Sequence, residues 1–220
     1  MAALQSLQAS GSRTLWTSRK ENLPGVRSSS YERGVWTRTL SPALRWRFTL
    51  RAAKPLAIDT TVERNDFVSI REALRPVEDA ELEAFIAADL SGLLPLYDAT
   101  LPVSRVRIRL DRVADNMCEK FHTDCLKLRL ACTYAGVGTE WVDDVDANRD
   151  VLGSTELSVA ETNAAVLRHA DALRRCSVGD VLLLKGSEWS EAELGAIHRS
   201  PNFVGRGRIL LRVDEPEPRL

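Results

Sequence analysis

Strict alternation of apolar and charged residues in "SRVRIRLDRV" constrains the fold of this chain most. The apolar residues fall on one face and three arginines on the other: Val106, Ile108 and Leu110 against Arg105, Arg107 and Arg109. A period of two is typical of a strand with one buried face. Short apolar runs separated by turn residues follow, including "KLRLACTY", "GDVLLLKG" and "GRILLRVD". This pattern predicts a sandwich or small barrel in the C-terminal half.

One clear helix precedes these strands, in "PVEDAELEAFIAADLSGLL". Acidic residues crowd its first turn, which suits the positive end of a helix dipole. Its apolar residues recur at helical spacing on one face: Leu82, Phe85, Ile86 and Leu90. Gly92 and Pro95 predict where it ends. The chain is therefore predicted to be an α+β protein with helices packed outside its strands.

Composition describes an ordinary soluble domain, with 44% apolar and 28% charged residues among 220. No apolar run approaches the roughly 20 residues of a membrane helix, so no membrane partner is expected. Four cysteines without a CxxC pair favour reduced thiols and a cytoplasmic location.

Charge is unevenly distributed along the chain. Residues 1–54 hold 10 Lys and Arg against 2 acidic residues, and the remainder holds 20 against 29. A basic start is compatible with a transit peptide or with an arm that binds nucleic acid. Spaced aromatic residues argue against both, because a free tail does not need them, and we expect Trp36 and Trp46 to be buried. Residues 1–22 are predicted to form a weakly ordered tail.

His122 and Asp124, in "FHTDCLKLRL", are the first candidate site residues. In an extended segment they point the same way as Leu128 and Leu130, and leucines mark a face as inward. A buried carboxylate is costly unless it is paired or binds a metal. His198 follows Asp124 by 74 residues, just before another strand. Two histidines and one carboxylate make up the facial triad of non-haem Fe(II) sites.

Alternatives remain open for this segment. His122 and Asp124 could simply be polar residues of an edge loop. Cys118, four residues before His122, or Cys132, placed inward by alternation, could instead add sulfur and make a zinc site. A buried free cysteine is the commoner role for either.

Arg208, ten residues after His198, is a candidate anion ligand. An arginine there could hold a dicarboxylate co-substrate by a bidentate contact. In a strand, Arg208 and Leu210 share one face, and Ile209 and Leu211 the other. An inward Arg208 would require a buried anion, whereas an outward one would only pair with a surface acid.

Several segments stand out as motifs, namely "GVWTRTLSPAL", "CEKFHTD", "RLACTYAGVGTEWV", "VGDVLLLKG" and "HRSP" followed by "GRILL". Together they resemble the motifs of the bacterial domain-of-unknown-function 1826 family. The resemblance covers roughly residues 23–214. Val137 departs from the expected "GPGTEW" and costs only turn rigidity. The family carries no settled activity.

More distantly, the arrangement of these motifs along the chain is similar to that of the Fe(II)/2-oxoglutarate dioxygenase superfamily. That resemblance implies a double-stranded β-helix (jelly-roll, cupin-like) core over 103–214, with segment 23–98 packed on it, in a single domain 23–220. It implies His122, Asp124 and His198 as iron ligands. It also implies that Arg208 anchors 2-oxoglutarate, with Tyr134 or Ser200 adding a hydrogen bond.

The resemblance thus favours an oxygenase that uses Fe(II) and 2-oxoglutarate on an unknown small-molecule or macromolecular substrate. The alternative is a cupin-like zinc-binding or metal-homeostasis protein without turnover. A nucleic-acid partner rests on the basic start alone and is not favoured.

Overall fold

Ten strands form two sheets in the residues that the computed structural model describes, namely 11–114, 118–190, 194–202, 205 and 207–216. The strands are β1 (Thr14–Thr17), β2 (Arg33–Trp36), β3 (Ala57–Glu63), β4 (Arg105–Val113), β5 (Leu128–Ala135), β6 (Glu140–Trp141), β7 (Arg174–Arg175), β8 (Val181–Lys185), β9 (His198–Arg199) and β10 (Arg208–Asp214). The α-helices are α1 (Pro42–Arg51), α2 (Phe67–Ala73), α3 (Ala80–Thr100) and α4 (Val159–Val166). Short 3-10 helices cover Lys20–Arg27, Arg75–Val77, Asp144–Asp146, Arg149–Val151 and Ala170–Ala172.

The large sheet has seven strands in the order β1-β2-β8-β5-β10-β4-β3. Its pairs are antiparallel except for β1 with β2. The small sheet has the order β7-β6-β9. Mixed helix and sheet content agrees with the α+β prediction, and the alternating segment at β4 is the strand that its period predicts.

Helices cover one face of the large sheet. Side chains of β4, β5 and β10 meet those of α1 and α3 in one large apolar cluster. Asp79 begins α3, because its carboxylate accepts from the backbone N–H groups of Glu81 and Leu82 at 3.1 Å. Leu82, Ile86 and Leu90 are buried, as the helical spacing predicts.

The end of α3 corrects the sequence prediction. The helix continues through Gly92 and Pro95 to Thr100. Proline removes one backbone hydrogen bond from a helix, but the extra turns bury Leu93, Leu94 and Tyr97. The Tyr97 hydroxyl also donates to the carbonyl oxygen of Leu128 on β5 at 2.8 Å. Tertiary burial therefore outweighs the local stop signals.

The small sheet covers only part of the opposite face of the large sheet. Trp141 of β6 packs with Val35, Leu182 and Leu184 of β2 and β8 in a second apolar cluster. Strands β10, β4 and β3 extend beyond it, and ion pairs such as Arg107–Asp59 lie on that face. The cavity described below opens between these two regions.

The N-terminal segment differs from its prediction. Residues Thr14–Thr17 form β1, and Leu23 and Val26 of the following 3-10 helix are buried. The prediction of a weakly ordered tail over residues 1–22 is therefore wrong for residues 11–22. Residues 1–10 lie outside the described residues. Strands β1, β2 and β3 also join the large sheet, so the strands are not confined to 103–214.

The two tryptophans behave differently from each other. Trp36 is partly buried, but Trp46 is 64% exposed, so its predicted burial is wrong. Phe48, two positions further along α1, is buried instead. Residues two apart lie on nearly opposite sides of a helix, so only one of them can face the core. Within the described part of the chain, no helix has the length and apolarity needed to cross a membrane.

Candidate metal centre and adjoining cavity

The backbone brings the two candidate histidines side by side. His122 and His198 form an isolated antiparallel bridge, with each backbone N–H donating to the carbonyl oxygen of the other at 3.0 Å. His198 also pairs with Trp141 through the small sheet, so this sheet holds the bridge in place. The two imidazole ring centroids are 4.5 Å apart.

Both imidazoles are oriented by carbonyl oxygens of their own segments. The Nδ1 of His122 lies 2.8 Å from the Lys120 carbonyl oxygen, and the Nδ1 of His198 lies 3.0 Å from that of Ala196. A carbonyl oxygen only accepts, so Nδ1 carries a proton in each ring, and in the neutral form of the ring Nε2 then keeps its lone pair. Hydrogen bonds of this kind fix the rings of metal-binding histidines.

The carboxylate of Asp124 completes the group. Its Oδ2 lies 3.3 Å from Nε2 of His198, and its Oδ1 lies 3.8 Å from Nε2 of His122. One ligand atom from each of the three residues falls within 4.8 Å of the others. An ion at about 2.1 Å from three ligands needs them roughly 3–4 Å apart. The three side chains therefore converge, and both carboxylate–imidazole distances fall within that range.

Arg129 on β5 binds one oxygen, Oδ1, of the Asp124 carboxylate. Its Nη1 donates to Oδ1 of Asp124 at 2.5 Å, and its Nε and Nη2 donate to Asp214 at 2.8 and 3.2 Å. Oδ2 of Asp124 is buried and makes no hydrogen bond with any described residue. The carboxylate thus has one engaged oxygen, Oδ1, and one unsatisfied oxygen, Oδ2, which lies 3.3 Å from Nε2 of His198.

Electrostatics favour the ionised carboxylate of Asp124 and the neutral imidazole of His122. Burial alone would raise the pKa of Asp124, but His198, Arg129 and His122 outweigh burial and hold that pKa well below its ordinary value. Burial and the neighbouring His198 lower the pKa of His122. Both directions give the protonation states that a divalent metal requires.

These residues fit a divalent transition metal. The donor set is two neutral imidazole nitrogens and one carboxylate oxygen, and the unsatisfied buried Oδ2 of Asp124 lacks only a positive partner. Three protein ligands also leave coordination positions open for other molecules.

A cavity of about 340 Å³ adjoins this group, and Arg208 lies in its wall. Alternation along β10 turns Arg208, Leu210 and Arg212 toward the cavity and Ile209 and Leu211 toward the helices. The inward orientation that the dicarboxylate hypothesis requires is therefore the one observed.

Three hydroxyl groups surround the guanidinium of Arg208. Its Nη2 donates to Thr133 and Thr139 at 3.0 Å, and its Nη1 donates to Ser200 at 3.3 Å. Arg208 is 2% exposed, and no carboxylate among the described residues hydrogen-bonds to it. Burial, with the positive charge of Arg212, lowers the pKa of Arg208 to about 10, so at neutral pH it is a buried cation without an anion.

The other predicted site residues are placed as follows. Ser200 lines the cavity and contacts Arg208. Tyr134 corrects its prediction, because its hydroxyl donates to Asp89 at 2.6 Å and its ring stacks on Phe48 at 4.7 Å, on the helix side of the sheet. Cys132 is buried on that same side, near Arg38. Cys118 lines the cavity, but its sulfur is not part of the three-residue group.

The phase of β5 explains these differences. Leu128, Leu130, Cys132 and Tyr134 face the helices, whereas Arg129, Ala131 and Thr133 face the site. The leucines do lie on a buried face of β5, but that face packs against the helices, and the candidate site lies on the other face. The chain bends at residues 125–127, so the alternation that began at His122 does not continue into β5. The sequence pattern did not reveal the role of Arg129, although Arg129 is the charged residue of β5.

A family model described as a protein of unknown function, DUF1826, matches residues 17–214. No curated protein matches. The dioxygenase for auxin oxidation 1 from Arabidopsis thaliana, solved with 2-oxoglutarate, is 10% identical with a TM-score of 0.51, covering 94% of this chain and 92% of that one.

A second similar structure is the dioxygenase for auxin oxidation from rice. It is 12% identical with a TM-score of 0.52, covering 93% of this chain and 83% of that one. At such identities the two likenesses show a shared fold and nothing about substrates. Since the family model spans most of the chain, this protein belongs to the DUF1826 family.

Proposed function

We propose that this protein is a non-haem Fe(II)- and 2-oxoglutarate-dependent oxygenase built on a double-stranded β-helix. One cavity carries the proposal. His122, Asp124 and His198 lie beside this cavity, and its wall contains Arg208, a cation that pairs with no carboxylate among the described residues. The small sheet facing the large one, and the likeness to two dioxygenases, support the fold assignment.

The protein's own contribution at the metal is orientation. The carbonyl oxygens of Lys120 and Ala196 direct Nε2 of each histidine to the shared position. Arg129 engages Oδ1 of Asp124, so Oδ2 is left as a single ligand atom. Bound there, Fe(II) with 2-oxoglutarate would supply the oxidation by O₂, in which one oxygen atom enters a substrate C–H bond and the other enters the succinate formed as 2-oxoglutarate loses CO₂.

Arg208 is the residue for the distal carboxylate of 2-oxoglutarate. Thr133, Thr139 and Ser200 each accept from Arg208, so each hydroxyl keeps its own O–H to donate to an anion. A dicarboxylate placed there would neutralise a cation that is otherwise buried alone, which is costly.

A zinc protein without turnover is the competing function. Sulfur ligands would favour it, yet Cys132 lies on the helix side and the sulfur of Cys118 stands outside the three-residue group. A donor set of two imidazoles and one carboxylate instead suits iron with open positions.

Titration of 2-oxoglutarate into iron-loaded, oxygen-free protein tests the proposal through the metal-to-ligand absorption band. Wild type should saturate. Arg208→Met should weaken binding by about 2–5 kcal/mol, since one partner of a buried charge pair is removed. Arg105→Met, on β4 and outside the cavity lining, is the matched control and should bind like wild type. No band in wild type would remove 2-oxoglutarate, and zinc recovered in place of iron would favour the competing function.

A further inference from the structure

A second cavity arginine, Arg212, carries information about the substrate. Arg208, Leu210 and Arg212 all face the cavity from β10. Four residues of strand span about 13 Å, so the two guanidinium groups start from separate parts of the same wall. Arg208 is almost fully buried, whereas Arg212 is half-buried, its side chain being 23% exposed.

Strand register places both arginines near the metal ligands. Arg212 pairs with Ala131 on β5, two residues from Arg129, which holds Asp124. Arg208 contacts Ser200, two residues from His198. Arg212 therefore lies toward the Asp124 part of the site, and Arg208 toward the His198 part.

The hydrogen-bonding capacity of Arg212 is only partly used. Its Nη2 donates to Oδ2 of Asp111 at 2.5 Å. Its Nε is buried and has no acceptor among the described residues. A guanidinium has five N–H donors, so Arg212 can bind another anion while it keeps Asp111.

Arginines outnumber acidic residues in the lining of the cavity. The described lining has five arginines and one aspartate: Arg112, Arg129, Arg199, Arg208, Arg212 and Asp111. Asp124 and Asp214 pair with Arg129, and Glu140 pairs with Arg199. A 2-oxoglutarate dianion would use one carboxylate at Arg208 and the other at the metal. Arg212, whose hydrogen-bonding capacity is only partly used, would remain to attract a second anion.

The apolar part of the wall is entirely aliphatic. Its members in the described lining are Leu56, Ala57, Val113, Ala114, Ala131, Leu184 and Leu210. None of the described lining residues has a Phe, Tyr or Trp ring on which a flat aromatic substrate could stack. The volume of about 340 Å³ is also near the lower end for ligand cavities. These features fit a small aliphatic molecule better than a nucleobase or an indole.

We infer that the substrate is a small aliphatic carboxylic acid, whose carboxylate binds Arg212 and whose carbon chain lies on Leu210 and Ala131 facing the metal ligands. For the reaction this inference rests on the proposed function: one oxygen atom of O₂ would enter a C–H bond of the acid and the other would enter succinate, as 2-oxoglutarate loses CO₂. For binding it rests on the residues of the cavity alone.

The test uses butyrate and its neutral isostere butyramide as probes. Mn(II)-loaded protein saturated with 2-oxoglutarate should broaden the proton resonances of butyrate, and butyramide should bind at least about tenfold more weakly. Arg212→Met should lose about tenfold in butyrate affinity, Arg212→Lys should lose less, and Arg105→Met should match wild type. Equal binding of both probes, no butyrate binding to wild type, or wild-type affinity in Arg212→Met would overturn the inference.

A metal-free arm separates this inference from the proposed function. Saturation-transfer spectra without metal or 2-oxoglutarate should still show a part of butyrate binding that Arg212→Met removes. If 2-oxoglutarate fails to bind but this part persists, the proposed function fails and the anion subsite stands. If 2-oxoglutarate binds normally and butyrate binding does not depend on Arg212, the subsite alone is overturned.

Discussion

Arg129 donates from Nη1 to Oδ1 of Asp124 at 2.5 Å, and Asp214 holds the same guanidinium through two further hydrogen bonds. Arg129 lies on β5 and Asp214 on the neighbouring β10. The orientation of the candidate ligand carboxylate is therefore set by two central strands of the large sheet. The two histidines, in contrast, are placed by the small sheet and its bridge.

Replacement of Arg129 should weaken metal binding. Arg129→Met would leave two buried carboxylates, Asp124 and Asp214, without their shared cation, and Oδ1 of Asp124 would be free to turn. We expect Mn(II) or Fe(II) affinity to fall by about 10- to 100-fold, as for other residues that orient metal ligands. Calorimetric titration of the metal measures this change.

Arg107→Met is the matched control for that experiment. Arg107 makes a comparable bidentate pair with Asp59 on the open part of the large sheet, away from the histidines. It should leave metal affinity unchanged. An Arg129→Met protein with wild-type affinity would show that Asp124 needs no support from β5.

Metal should stabilise the folded protein in a way that depends on Asp124. A ligand that binds only the native state adds about 2.7 kcal/mol at one hundred times its Kd. Thermal unfolding should therefore shift upward with Mn(II) concentration in wild type and reverse with a chelator. Asp124→Asn keeps the shape but removes the charge, and its melting temperature should not respond. An equal shift in that variant would place the metal elsewhere.

Local patterns were sufficient for part of the site. Each of three features could be recognised from neighbouring residues: the His-x-Asp pair, the histidine just before a strand, and the alternation around Arg208. The structure contains all three. Arg129 and the threonines around Arg208 could not be found in this way. Their roles depend on Asp214, 85 residues from Arg129, and on contacts of Arg208 across 69 to 75 residues.

Burial on two sides explains the errors. Strand β5 is packed by helices on one face and lines the site on the other, so its leucines could not reveal which face holds the metal ligands. The resemblance to 2-oxoglutarate dioxygenases implied a site role for Tyr134, but Tyr134 lies on the same helix-facing side of β5 as those leucines. Trp46 shows the same limit in a helix, because the choice between Trp46 and Phe48 as the buried residue depends on where α1 packs.

Stability should decrease between pH 5 and pH 8 through Glu32. Burial, together with a hydrogen bond to Asp144, raises the pKa of Glu32 to about 7 despite its ion pairs with Arg33 and Arg13. A raised folded pKa means that its contribution is fully present below the unfolded value of 4.5 and is lost as pH rises through about 7. The effect reaches about 3 kcal/mol.

Glu32→Gln removes this titration. The free energy of unfolding of wild type, relative to the variant, should therefore fall from pH 5 to pH 8, whatever the offset between them at pH 5. Urea unfolding at both values measures the difference. A difference that stays constant or grows with pH would show that the ion pairs, and not burial, control Glu32.

Gly136 should be required for the position of Arg208. Its φ of +85° lies in the left-handed region, and a Cβ there would lie 2.7 Å from the Cβ and 2.9 Å from the Cα of Arg208. Gly136→Ala must therefore strain the turn and displace the start of β10, where Arg208 lies. We expect a loss of about 1–3 kcal/mol in unfolding free energy and about tenfold weaker 2-oxoglutarate binding.

Gly92→Ala is the control, because nothing lies within 4 Å of its Cβ position on α3. This variant should bind 2-oxoglutarate like wild type and be about 0.5–1 kcal/mol more stable. If Gly136→Ala keeps wild-type affinity for 2-oxoglutarate while it loses stability, the turn does not control the position of Arg208.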